Sequence, residues 1–160
     1  MNEKELFLQA DAALRSVIDR ISPVQLQLDA PAEWSRTKDP RIRDIVASHV
    51  YDEAWVPDVL AGRTIEEVGD RLAGDLLGSD PIAAYEATIA VRSSSDLDAT
   101  THLSYGDFSV REFFLHSAIY RAFQAWSIAK FLGMEYSLPA ELVEGLWDHV
   151  GPQVDAFREI

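Results

Sequence analysis

Apolar residues recur at steps of three and four along several segments of the chain, which is the spacing of one face of an α-helix. The first segment runs from about residue 3 to 21 and ends at Ser22-Pro23, because proline disfavours helical geometry in the residue before it. The second begins at Asp39-Pro40, a favourable helix start, and ends near Gly62. Because Pro57 lies inside it, we expect a kink or a break near residue 53.

Capping patterns mark further helix starts. Thr64-Ile-Glu-Glu67 is a capping box that predicts a short helix, and Asp80-Pro81 predicts the start of the third long helix. Ser109-Val-Arg-Glu112 is a second capping box, which opens a helix to about Leu132 that is apolar on most sides. The last helix follows Ser137.

One stretch has strand character. Residues 99–108 alternate Thr, Leu, Tyr and Phe around a Gly106-Asp107 turn, which predicts a short hairpin or an extended loop. The predicted elements are these helices, one of them an extra short helix, and this hairpin. The sequence therefore predicts an all-α fold, a helical bundle of one domain over residues 1–160.

The amino-acid composition excludes several classes of function for this protein. The 160 residues carry a formal net charge of −13 and no cysteine. An acidic surface disfavours binding to nucleic acid and to anionic membranes, and the lack of cysteine excludes disulfides and thiolate metal ligands. No apolar run approaches the roughly 18–20 residues of a membrane span, and residues 1–20 are too charged for a signal peptide. We therefore expect a cytoplasmic protein.

Two polar residues interrupt the apolar stripe of the second helix. His49 and Glu53 lie one turn apart, so both side chains point the same way and could share a proton or a metal ion. Burying a carboxylate is costly unless it is paired, metal-bound or protonated. The alternative is an ordinary His–Glu hydrogen bond at the rim of the bundle, or a Glu53 side chain that reaches outward.

The central helix carries a polar line at the same spacing. If this line faces the second helix, the bundle encloses a polar pocket; otherwise it is a buried hydrogen-bond network or a solvent-facing edge. Glu112 extends the line, but its capping-box role explains it better than a role as a ligand. The candidate pocket residues are His49, Glu53, His116, Tyr120, Gln124 and Ser127.

Several segments together resemble the metal-binding N-terminal domain of mycothiol-dependent maleylpyruvate isomerases, and in particular small stand-alone actinobacterial proteins of the DinB-like family. The resemblance covers nearly the whole chain and implies a DinB-like four-helix bundle. The segments that carry it are Asp29-Ala-Pro31, Glu33-Trp34-Ser35, Asp44–His49, Trp55–Thr64, Asp75–Pro81, His102–Gly106 and Ala125–Gly133.

The resemblance also implies a divalent-metal site with three ligands. His49 matches the histidine of the second helix, whereas the acidic residue and the histidine of the central helix are replaced by Tyr120 and Gln124. A phenol and an amide are poor ligands for zinc-like ions, so no high-affinity metal is expected. The best rebuilt site would combine His49 with Glu53 and His116, for zinc or nickel.

These observations leave three functions open. The leading hypothesis is a DinB-like protein with a degenerate metal site that binds a small molecule or is non-catalytic. The alternative is a transferase or isomerase that depends on a metal and on a low-molecular-weight thiol, because a bound metal generates thiolate at neutral pH. The third is an interaction module that forms a homodimer through its abundant aromatic residues.

Overall fold

The computed structural model describes residues 1–72 and 81–158, and these are mostly helical with one small two-stranded sheet. The all-α prediction is confirmed in this general form. Three short 3₁₀ turns lie at 25–27, 32–34 and 69–72. The helices and strands are α1 (Glu3–Ile18), α2 (Ile42–Leu60), α3 (Ile65–Val68), α4 (Pro81–Ser93), β1 (Thr100–Leu103), β2 (Gly106–Ser109), α5 (Val110–Phe131) and α6 (Ala140–Arg158).

The chain divides into two compact units. The terminal unit comprises Met1–Val17 and Arg111–Ile160, and the central unit comprises Ile18–Val110. The prediction of a single domain over residues 1–160 stays a prediction.

In the terminal unit, α1 packs against α5 and α6. The ring of Phe7 on α1 lies 5.9 Å from that of Phe113 and 5.4 Å from that of Phe114, both on α5. On α6, Gly145 approaches α1 so closely that a Cβ atom there would lie 2.8 Å from Cδ2 of Leu6. Aromatic packing and one close helix approach therefore hold the three helices together.

In the central unit, α2 packs against α4, β1 and the 3₁₀ turn at 25–27. The chain before α2 is held by the backbone N–H of Ala30, which donates to the carbonyl of Pro40 at 2.8 Å. The segment between α1 and α2 is thus tied to the start of α2.

Both predicted features of α2 that depend on proline need correction. The helix begins at Ile42 rather than at Asp39-Pro40, and the Asp44 carboxylate accepts a 2.8 Å hydrogen bond from the N–H of Arg41. Of the predicted kink or break near residue 53, the break is wrong, because α2 is continuous through Pro57 to Leu60, and the kink stays a prediction. Proline removes one N–H from the ladder close to the C-terminal end, and the turn after it still closes, with the N–H of Ala61 donating to the carbonyl of Pro57 at 3.0 Å.

Other predicted helix ends are confirmed. Gly62 and Gly133 follow α2 and α5 with φ of +73° and +68°, a conformation that glycine adopts without steric cost. At α3, the Thr64 hydroxyl accepts from the N–H of Glu67 while the Glu67 carboxylate accepts from the N–H of Thr64. By contrast, α1 ends at Ile18, three residues before the predicted end, and Asp80 lies outside the described residues.

The predicted hairpin is present, with its turn in a different place. β1 and β2 pair antiparallel with Leu103 opposite Gly106, so the two turn residues are Ser104 and Tyr105 rather than Gly106-Asp107. The fully buried Thr101 anchors the hairpin, because its hydroxyl donates to the carbonyl of Phe108 at 2.9 Å.

Candidate functional site

The apolar stripe of α2 contains two buried ionisable side chains. His49 is 6% exposed and Glu53 is 8% exposed, and they occupy successive turns among Ile45, Val46 and Val56, which are also buried. Both side chains interact with neighbouring groups. The sequence prediction that both residues are buried on one side of this helix is therefore confirmed, and the reading in which Glu53 reaches outward is wrong.

The polar line of α5 crosses from the core to the surface. Gln124 is buried at 9% exposure, His116 and Ser127 are half-buried, and Tyr120 is 45% exposed. These positions lie along the boundary between the buried and the exposed faces of the helix. That they share one pocket with His49 and Glu53 stays a prediction.

A second buried carboxylate on α2 is not among the residues identified from the sequence. Asp58 is 4% exposed and accepts hydrogen bonds from Arg63, at 2.6 Å, and from Arg71. Burial on its own raises the pKa of Asp58, but the hydrogen bonds and charges of Arg71 and Arg63 outweigh it and hold the pKa below its usual range. The two arginines are about half exposed and already engaged, so this cluster fixes the segment after α2.

The terminal unit holds a comparable cluster around Asp11. One carboxylate oxygen lies 2.6 Å from Nη2 of Arg15, and the other accepts a 3.2 Å hydrogen bond from Nε of Arg121. Asp11 and Arg121 are each 6% exposed, and the Arg121 guanidinium stacks 4.7 Å from the ring centroid of Phe7. The opposite charges and the aromatic ring offset the free-energy cost of burying both ions, so this cluster has a structural role.

A groove of about 400 Å³ opens beside α1 in the same unit. It carries no charged side chain and none of the six predicted pocket residues, so it is not the predicted polar pocket. Its lining residues are Gln9, Ala12, Ala13, Ser16, Tyr136, Ser137 and Pro139.

The remaining histidines lie at the periphery. Nδ1 of His102 is 2.8 Å from Oδ1 of Asp107 across the hairpin, and Nε2 of His149 lies 3.3 Å from the carbonyl of Met1. Within residues 1–72 and 81–158, no three His, Asp or Glu side chains form a group suited to a metal ion. None of the helices in this part of the chain is long and apolar enough to cross a membrane.

No protein-family model, curated protein or solved structure matches this chain.

Proposed function

We propose that this chain is a cytoplasmic, DinB-like helical protein that binds a small molecule at a polar site built around His49 and Glu53, without a high-affinity metal. The DinB-like assignment is supported by the segments that resemble that family and by the order of the long helices along the chain. The observation that carries the binding site is the burial of two ionisable side chains one turn apart on α2.

Keeping an imidazole and a carboxyl group in an apolar stripe costs free energy. Replacing such polar groups with apolar ones of similar size is often neutral or stabilising, which makes these two side chains candidates for a role in binding. An imidazole and a carboxyl group together offer a hydrogen-bond donor and acceptors on one helix face. They suit a small polar ligand that carries both a donor and an acceptor, such as a hydroxy acid.

The donor set does not fit the metal that the family resemblance implies. Tyr120 and Gln124 stand where that resemblance places the second and third ligands, and neither is a good ligand for a zinc-like ion at neutral pH. Tyr120 is also nearly half exposed, whereas ligands of a bound metal are usually fixed by surrounding packing. The proposed binding site therefore uses no metal ion.

Ligand-observed NMR with a panel of small hydroxy acids and carboxylic acids tests the proposal. We expect at least one panel member to bind the wild type, and binding to be lost in His49→Ala and in Glu53→Gln. Asp52→Asn is the matched control, because Asp52 is the exposed carboxylate next to Glu53 and its substitution should leave binding intact. No binding by any panel member, or equal binding by all four proteins, would count against the site.

The enzyme alternative makes a different prediction. A metal- and thiol-dependent transferase or isomerase would retain about one zinc or nickel ion per chain after purification without chelator, and His49→Ala would lose it. It would also turn over an electrophile in the presence of a low-molecular-weight thiol, and a chelator would abolish this activity. Elemental analysis and a thiol–electrophile assay decide between the two functions.

A further inference from the structure

The exposed face of α5 is aromatic. From position 113 to the end of the helix, the exposed residues are Tyr120, Phe123, Trp126, Lys130 and Phe131. The ring centroids of Phe123 and Trp126 are 6.0 Å apart, and Nζ of Lys130 lies 4.6 Å from the Trp126 ring. We call the four aromatic residues of this set the α5 aromatic face.

This face is larger than scattered surface residues would make it. Its members are 45%, 65%, 41% and 46% exposed in chain order, which leaves about 400 Å² of aromatic surface in water at typical side-chain areas. The largest apolar patch on a typical monomeric protein measures about 300–600 Å² and is often functional, so a patch of this size is a candidate interface. The other side of α5 is already buried, with Phe114, Ala118 and Ile128 fully inside. The packing of the terminal unit therefore leaves the α5 aromatic face exposed.

The charge pattern indicates what covers this face. The protein has 27 acidic residues and a net charge of −13, yet residues 113–134 contain no Asp or Glu. Lys130 is the one exposed charge on α5 in this stretch. Two copies of so acidic a protein repel each other over most orientations, and they approach with least repulsion when their acid-free faces meet.

We propose that the α5 aromatic face binds a second copy of this chain, with the α5 helices of the two copies packed against each other about a two-fold axis. A two-fold interface pairs the same patch from both copies, so one self-complementary face is sufficient. The aromatic side chains alone would contribute about 800 Å² from the two copies, around half of a standard interface before the flanks of the helices are added.

A lipid surface fits this face less well. Helices that lie in a membrane interface carry several Lys or Arg residues on their polar side, and these attract anionic lipids. The α5 aromatic face has Lys130 alone, in a protein whose net charge opposes binding to anionic membranes. Membrane binding is therefore an outcome of the test that would contradict the proposal.

Sedimentation velocity over a range of micromolar concentrations tests the dimer. We expect the wild type to sediment as a dimer of twice 17.9 kDa, and Phe123→Glu to sediment as a monomer. Tyr85→Glu is the matched control, since Tyr85 is a 67% exposed aromatic residue on α4 and its substitution should leave the dimer unchanged. Circular dichroism and thermal melts establish that both variants fold. A monomeric wild type, a dimeric Phe123→Glu or a monomeric Tyr85→Glu would each overturn the proposal.

The absence of cysteine from the sequence permits a second, independent test. Ser127 is a half-buried residue one turn after Phe123, so a single cysteine at Ser127→Cys would lie near its counterpart across the axis. A short bis-maleimide should cross-link this variant into a covalent dimer, and should not cross-link Ser48→Cys, which places the thiol at an exposed position on α2. Equal cross-linking of both variants, or Phe123-dependent binding of a monomer to lipid vesicles, would exclude the proposed interface.

Discussion

The carboxylate of Asp11 on α1 lies 3.2 Å from Nε of Arg121 on α5, and both side chains are almost completely buried. The residues are 110 positions apart in the sequence, so this ion pair forms only when α1 and α5 pack together. An ion pair in a low-dielectric site is costly to form and still more costly to break on one side.

We expect Asp11→Asn to lower the free energy of unfolding by about 3–5 kcal/mol, because the Arg121 charge stays buried without its counter-ion. The double variant Asp11→Leu with Arg121→Met should lose less than Asp11→Asn alone, since it removes both charges. Urea denaturation monitored by circular dichroism measures both effects. Asp19→Asn is the control, because Asp19 is an exposed carboxylate just beyond the same helix. Equal losses in Asp11→Asn and Asp19→Asn would show that the buried pair does not stabilise the fold.

The Asp58 cluster predicts a pH dependence of stability. The pKa of Asp58 is lower in the folded protein than its unfolded value of about 3.8, through Arg71 and Arg63 and in spite of burial. A carboxyl with a lowered folded pKa contributes stability that is present above the unfolded pKa and is lost as the pH falls through the folded pKa. The contribution of Asp58 is therefore complete at neutral pH and declines below about pH 4.

Asp58→Asn should remove this part of the pH dependence. At pH 7 we expect the variant to lose about 2–3 kcal/mol of unfolding free energy, because an amide has no negative charge and offers one oxygen where Arg63 and Arg71 each use a separate one. At pH 3 the difference in unfolding free energy between the variant and the wild type should be smaller. Urea titrations at both pH values measure the difference, with exposed Asp52→Asn as control. A gap that is constant from pH 7 to pH 3 would contradict the assignment of the shift to Asp58.

Structural features that depend on neighbouring residues in the sequence could be predicted, whereas features that depend on contacts between distant residues could not. Helix ends at Gly62 and Gly133 and the cap at Thr64 depend on residues within a few positions, so the sequence contains their whole explanation. The turn of the hairpin was misplaced because glycine is favoured at a turn and also just after it. Here Gly106 opens β2 with φ of +137°.

The side-chain clusters around Asp11 and Asp58 could not be predicted from neighbouring residues in the same way. Asp11 lies on the apolar stripe of α1, so its burial was detectable, but its partner Arg121 comes from a distant helix. Asp58 lies outside the apolar stripe of α2, and Arg71 is 13 residues away. For Tyr120 the sequence leaves both a polar pocket and a solvent-facing edge open, because a helix that is apolar nearly all round gives no sign of which side faces water. The exposure of Tyr120 emerges only from the packing of the other helices.

The cap of α3 predicts a modest loss of stability on substitution. Thr64→Ala removes the hydroxyl that accepts from the N–H of Glu67, and an N-cap of this kind contributes about 1 kcal/mol. Chemical denaturation should show this loss, whereas Thr64→Ser, which keeps the hydroxyl, should stay close to the wild type. A Thr64→Ser variant as unstable as Thr64→Ala would assign the effect to the lost methyl group instead of the cap.

Gly145 lies inside α6, where alanine would ordinarily be the better helix former by about 1 kcal/mol. Here the new Cβ would lie 2.8 Å from Cδ2 of Leu6, which is fully buried, so either this side chain or the two helices must shift. We therefore expect Gly145→Ala to destabilise the protein by about 1–3 kcal/mol, the usual cost of overpacking a core. Gly151→Ala in the same helix is the comparison, because the side chain it meets is the Trp147 indole at 3.0 Å, and Trp147 is 57% exposed and can rotate away. Thermal and urea unfolding should show that Gly145→Ala is less stable than Gly151→Ala. The reverse order would mean that helix propensity, rather than the close approach of α6 to α1, decides stability at position 145.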